Sequence, residues 1–162
     1  MAIIGAIGPQ KGGNLVRDLA FDASERGLPI QYAIIGYSSI TDKLAAVGVT
    51  ETGYYKDDSE AWAKLEAARP HFAFFPSISP ETHSYTLSIA LAVGLPSVVF
   101  DIGAPAERLR ALETGHILNF SLAMSPSALN DALLALNLER LWEHRPVYKG
   151  AEYKCFVEDY YR

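Results

Sequence analysis

The sequence has 162 residues, 49% of them hydrophobic, 20% charged and 11% aromatic, with a formal net charge of −5. This is the make-up of a single soluble domain whose core is large enough to need neither disulfides nor a structural metal. The absence of any Lys/Arg run excludes an electrostatic footprint for nucleic acid or a membrane surface, and the lone Cys155 excludes a disulfide framework and a multi-cysteine metal site.

Short apolar runs alternate with helix-period stretches, and turn residues sit at the joints. The opening MAIIGAIGPQKGG lacks a basic leader and breaks at Gly5 and Gly8, so residues 2–6 read as a buried strand and not as a signal peptide. No run approaches the ~20 apolar residues of a membrane span, and a cytoplasmic protein is expected. Asn14, as N-cap, opens a helix that carries Leu15, Leu19 and Ala23 and stops at Gly27. Residues 30–35 make a second strand, Thr41 opens a short helix, and residues 49–54 are a candidate third strand. Asp58 or Ser59 caps a helix over 60–68, which closes before Pro70. In the second half, 72–75 is a strand, 76–81 a loop, 82–93 a helix ended by Gly94-Leu95-Pro96, and 97–100 a strand. A helix begins at Pro105, residues 117–120 form a last strand, and Pro126 stands at the first position of a helix carrying Leu129, Leu133 and Leu136.

Strands without polar alternation, separated by helices, belong to a parallel sheet covered on both faces. The element order and right-handed crossovers predict an α/β fold with a doubly wound parallel sheet, as one domain over residues 1–162. From residue 138 the rhythm breaks. Trp142, Tyr148, Tyr153, Phe156, Tyr160 and Tyr161 point to a C-terminal helical tail over 138–162, packed on the domain or offered to a partner.

In an open parallel sheet, ligands bind beyond the carboxyl ends of the strands, which selects residues 8–14, 36–41, 76–84 and 101–107. The first loop reads GPQKGGN. Its glycines let backbone amides approach a ligand, the following helix start favours an anion, and Lys11 brings a mobile positive charge suited to a phosphate; a tight turn with a solvated lysine reads as well. Neither a Walker A triplet nor GxGxxG is present. In the third loop, Glu81 stands ahead of a helix start as a capping carboxylate or a ligand group. Ser84 and Thr86 donate to a phosphate or cap the helix, and His83 is a lone loop histidine. No Gly-x-Ser-x-Gly elbow supports a hydrolase triad on Ser84. The fourth loop offers Asp101, Gly103 and Glu107, the last as a helix-start charge. The four histidines, at 71, 83, 116 and 144, have no metal-ligand spacing, so no metal is expected.

The segments IIGAIGPQKGG (3–13), VGVTETGYY (47–55) and SPETHSYTLSIALAVGLPSVVFDIGAPAERL (79–109) resemble, in order, the C-terminal domain of family 4, GT-B-fold glycosyltransferases. These are retaining enzymes that use nucleotide-sugar donors. The resemblance spans residues 2–135 and implies a Rossmann-like, donor-binding domain. It implies that Lys11 contacts the donor diphosphate beside Gly8, Gly12 and Gly13, and that Thr86 and Leu87 form the helix start whose backbone amides meet the diphosphate. Glu81 would face the transferred sugar as the catalytic-site carboxylate, and Tyr54 would lie near the base. Two positions depart: the second glutamate of E-x7-E falls on Ile89, and the basic residue at the first strand's end falls on Ala6. The nucleotide-diphosphate sugar is the expected donor substrate, without a metal or other cofactor. The N-terminal acceptor-binding domain is absent from the chain and would come in cis or in trans, so the isolated domain is not expected to turn over. The expected role is donor binding for sugar transfer in polysaccharide or glycoconjugate synthesis. The alternative is a non-catalytic glycosyltransferase-like module for protein–protein contact; a sugar-nucleotide epimerase of similar shape has weaker support.

Overall fold

The structure, a computed structural model, describes residues 1–146. Six strands form one sheet: β1 (Ala2–Ile7), β2 (Ala33–Ser38), β3 (Thr50–Glu51), β4 (Ala73–Phe75), β5 (Ser97–Phe100) and β6 (His116–Leu118). Their order is β3-β2-β1-β4-β5-β6 and every pairing is parallel. The strands bury side chains on both faces, which is why they carry no polar alternation. Ile3, Ile7, Ile34 and Phe74 join Leu15, Leu19, Leu44 and Leu129 in one core; Ile4, Ile35, Phe75 and Val99 join Leu65, Leu87, Ile89 and Leu109 in the other. Helices α1 (Gly13–Glu25), α2 (Thr41–Ala45) and α6 (Pro126–Leu134) thus cover the first face, and α3 (Asp58–Ala68), α4 (Tyr85–Ala92) and α5 (Gly103–Ala111) the second. The doubly wound α/β architecture read from the sequence is the observed one. The chain leaves β1 toward β2 and β3, then crosses back to β4, so the crevice between the ends of β1 and β4 is the topological switch point.

Local boundaries differ from the sequence reading for identifiable reasons. Gly12, not Asn14, caps α1, in a left-handed conformation (φ 79°). Asp57 caps α3, its carboxylate accepting from the Glu60 amide at 3.0 Å. The second strand starts at Ala33, because the preceding Tyr32 turns its ring into the core. There the Tyr32 hydroxyl donates to Asn130, whose amide donates to the Leu19 carbonyl (2.9 Å) and Asp22 (2.8 Å), tying β2, α1 and α6 through one buried network. The third strand shrinks to Thr50–Glu51. A seventh helix, α7 (Leu138–Glu143), opens the C-terminal tail with Asn137 as its cap. The expected packing of Tyr148, Tyr153, Phe156, Tyr160 and Tyr161 lies outside the described residues. Among those described, no helix is long and apolar enough to cross a membrane.

Candidate functional site

The loops after β1 and β4 touch at the switch point. A Cβ added to Gly12 would stand 2.1 Å from the Pro76 carbonyl oxygen, so the approach admits only glycine there. The Gln10 carbonyl accepts from the Ile78 amide (3.0 Å) and the Ser77 hydroxyl (3.3 Å), and the Gly13 amide closes the first loop onto the Gly8 carbonyl at 3.0 Å. The second loop is fastened in turn to α5. The Ala104 amide donates to the Glu81 carbonyl at 2.9 Å, and Gly103 lies so close that a Cβ would meet that oxygen at 2.8 Å. Arg108 reaches across from α5 to the His83 (3.0 Å) and Ser84 (3.1 Å) carbonyls and the Ser88 hydroxyl (2.9 Å). Three loops from three strands are therefore held as one unit before any ligand arrives.

Lys11, Ser77, Glu81 and Thr86 line a shallow cleft in this unit, about 10 Å³ in volume, with Ile7 and Pro76 as its apolar wall. The Lys11 ammonium and the Glu81 carboxylate form no ion pair with any described residue. Ser84 precedes α4 with φ 61° and ψ 80°, a left-handed conformation that is strained for a residue with a side chain. Its hydroxyl does not cap the helix and is buried without a hydrogen-bond partner among the described residues. The Leu87 amide donates to the Ser84 carbonyl at 3.2 Å, and the Leu87 side chain is buried in the core. The helix therefore starts at Tyr85, three residues later than its periodicity predicts, with the positive end of its dipole at the cleft.

Of the remaining predicted residues, Gly8 and Gly13 build the backbone of the first loop. Tyr54 stands apart, 69% exposed, with its ring centroid 6.5 Å from that of Tyr37. Ile89 is fully buried and Ala6 is exposed at the end of β1, so neither supplies a charge to the crevice. Asp101 is paired with Arg110 at 2.6 Å. Among the described residues, no group of three His, Cys, Asp or Glu is arranged to hold a metal ion. Arg108, Tyr37 and Tyr55 fall within the segments 79–109, 36–41 and 47–55 selected from the sequence, but the sequence reading assigns none of them a role. The Tyr55 hydroxyl lies beside Gly5 and Thr86, and burial, with Asp58 and Tyr37 nearby, raises its pKa.

Solved structures similar to this chain in fold include glycosyltransferases. HepE from Anabaena, in complex with UDP and glucose, superposes with a TM-score of 0.63 at 13% identity over 88% of this chain and 40% of that one. The catalytic domain of starch synthase IV from Arabidopsis thaliana, bound to ADP and acarbose, gives 0.60 at 15% identity over 98% of this chain and 36% of that one. The C-terminal domain of LpcC, a group 1 family glycosyl transferase from Francisella tularensis, gives 0.58 at 16% identity over 98% of this chain and 86% of that one. The fold is that of the GT-B C-terminal domain. No family model and no curated protein matches the sequence. The chain spans less than half the length of HepE and of the starch synthase domain, but most of the isolated LpcC domain.

Proposed function

We propose that the chain binds a nucleotide-diphosphate sugar as the donor-binding part of a glycosyltransferase. The observation that carries this reading is the meeting in one cleft beside the start of α4 of two opposite charges, Lys11 and Glu81, that form no ion pair among the described residues. Lys11, the glycine loop (Gly8, Gly12, Gly13) and the backbone around Ser84, Thr86 and Leu87 would hold the diphosphate and stabilise the charge it develops as a leaving group. Glu81 would orient the hydroxyls of the sugar, and Tyr54 would lie by the base. The likeness to HepE and starch synthase IV, whose structures hold UDP and ADP, supports a nucleotide at this crevice. The acceptor would be bound by a second domain, in cis or in trans, and retaining transfer in polysaccharide or glycoconjugate synthesis is the matching reaction.

The test is a calorimetric titration of the chain with UDP, GDP, dTDP and ADP, repeated with Lys11→Ala. Saturable binding of one nucleotide is expected, weakened at least about tenfold in the variant, as the loss of a charged hydrogen bond requires. Unchanged affinity would overturn the assignment. A second reading, a non-catalytic module docked on another transferase, is favoured by the buried Ile89. Tight nucleotide-sugar binding by a monomer would argue against it.

A further inference from the structure

Beside the start of α4, the ends of β2 and β3 bring aromatic side chains to the same carboxyl edge of the sheet. Tyr37 lies near the end of β2, and Tyr54 follows the turn at Gly53 beyond β3. Their rings are inclined at 44° with centroids 6.5 Å apart, and 46% and 69% of the two residues is exposed. Two large rings left side by side in water contribute little to the core, and their flat faces suit a flat ligand. Tyr55 turns the other way and packs against the core under α3 and α4. A Cβ placed on Gly5 would stand 4.0 Å from the Tyr55 hydroxyl and 2.8 Å from the Thr86 methyl, so that hydroxyl and the first turn of α4 flank the same point on β1. The Tyr55 hydroxyl makes no hydrogen bond to a described residue. The nearby Asp58 accepts instead from the Tyr85 hydroxyl, at 2.6 Å.

The lining thus has an order: helix start, phenol hydroxyl, ring pair. A nucleoside diphosphate has the same order: diphosphate, ribose hydroxyls, planar base. Along α4, Ile89 is buried and apolar and Ser88 is engaged by Arg108, so hydrogen bonds to a ribose fall to the β3 side. We propose that the Tyr55 hydroxyl bonds the ribose and that Tyr37 and Tyr54 flank the base of the nucleotide whose diphosphate meets Lys11. The proposal rests on the donor-site reading above and adds to it which residues recognise the nucleoside.

The full chain is titrated with UDP, GDP and ADP, with their 2′,3′-dideoxy forms, and with inorganic pyrophosphate. The wild type should prefer the ribose form about fivefold, and Tyr55→Phe should erase that preference while leaving pyrophosphate binding unchanged. Tyr54→Ala and Tyr37→Ala, both at exposed sites, should each weaken nucleotide binding about tenfold and spare pyrophosphate. If all three variants bind nucleotides as the wild type does while Lys11→Ala does not, the tyrosine assignment is wrong and the donor site stands; the three tyrosines then form a surface for another partner. If the wild type binds no nucleotide, the donor-site reading fails and this proposal falls with it.

Discussion

Around Lys11 the carboxyl edge of the sheet is held by bonds that join three loops, whereas around Tyr54 it carries exposed rings. At the first end, Gly12 meets Pro76 in direct contact, Gln10 accepts from two residues of the facing loop, and Arg108 clamps the start of α4. At the other end, Tyr37 and Tyr54 stand side by side, largely in water. On the proposed reading, the contrast would follow from what each end recognises. Charge on a diphosphate is stabilised by dipoles and cations fixed in advance, because reorienting them would consume the energy they give. A planar base is held by surface contact, which tolerates a looser frame and leaves room to change specificity.

Three substitutions probe this division. The largest effect belongs to Ile89→Glu, which would put an unpaired carboxylate into a fully buried core position and lower stability by about 3–5 kcal/mol in urea unfolding. A loss under 1 kcal/mol would mean that the inner face of α4 opens to the crevice and could supply the ribose contact assigned here to Tyr55. Arg108→Ala comes next. It frees three acceptors at the start of α4, should cost about 2 kcal/mol, and should weaken pyrophosphate and nucleotides alike while the ribose preference persists. Loss of ribose preference without loss of pyrophosphate binding would erase the distinction between the two ends. The smallest change is expected from Glu81→Ala, which should weaken the matching nucleotide sugar about tenfold and the bare nucleotide less than twofold. Equal losses for both would remove Glu81 from the sugar and make it part of the diphosphate end.

The bonded end was also the readable one. Apolar runs without alternation dictated the parallel sheet, the sheet dictated which loops share an edge, and those loops carried glycines, Lys11 and Glu81 in sequence. What escaped was set by tertiary contact. Helical periodicity placed the start of α4 at residue 82, because a pattern of side chains cannot register that Ser84 is held in a left-handed conformation by Arg108 from another helix. The strand expected over 30–35 slipped to Ala33–Ser38 because Tyr32, read as part of a strand, serves instead to anchor α6. Tyr37 and Tyr55 had no spacing signature at all. Their relation exists only once β2 and β3 are paired and Gly5 leaves room beside Thr86.

Amide chemical-shift mapping of the isotope-labelled chain during titration with the nucleotide that binds tests the central claim most directly. The account predicts that the largest shifts fall together at Lys11–Gly13, at Ser84–Leu87 and at Tyr54–Tyr55, the three segments that meet at the carboxyl edge of the sheet. Shifts concentrated instead around Leu28, His71 and Leu138, in the apolar groove at the opposite edge, would contradict it.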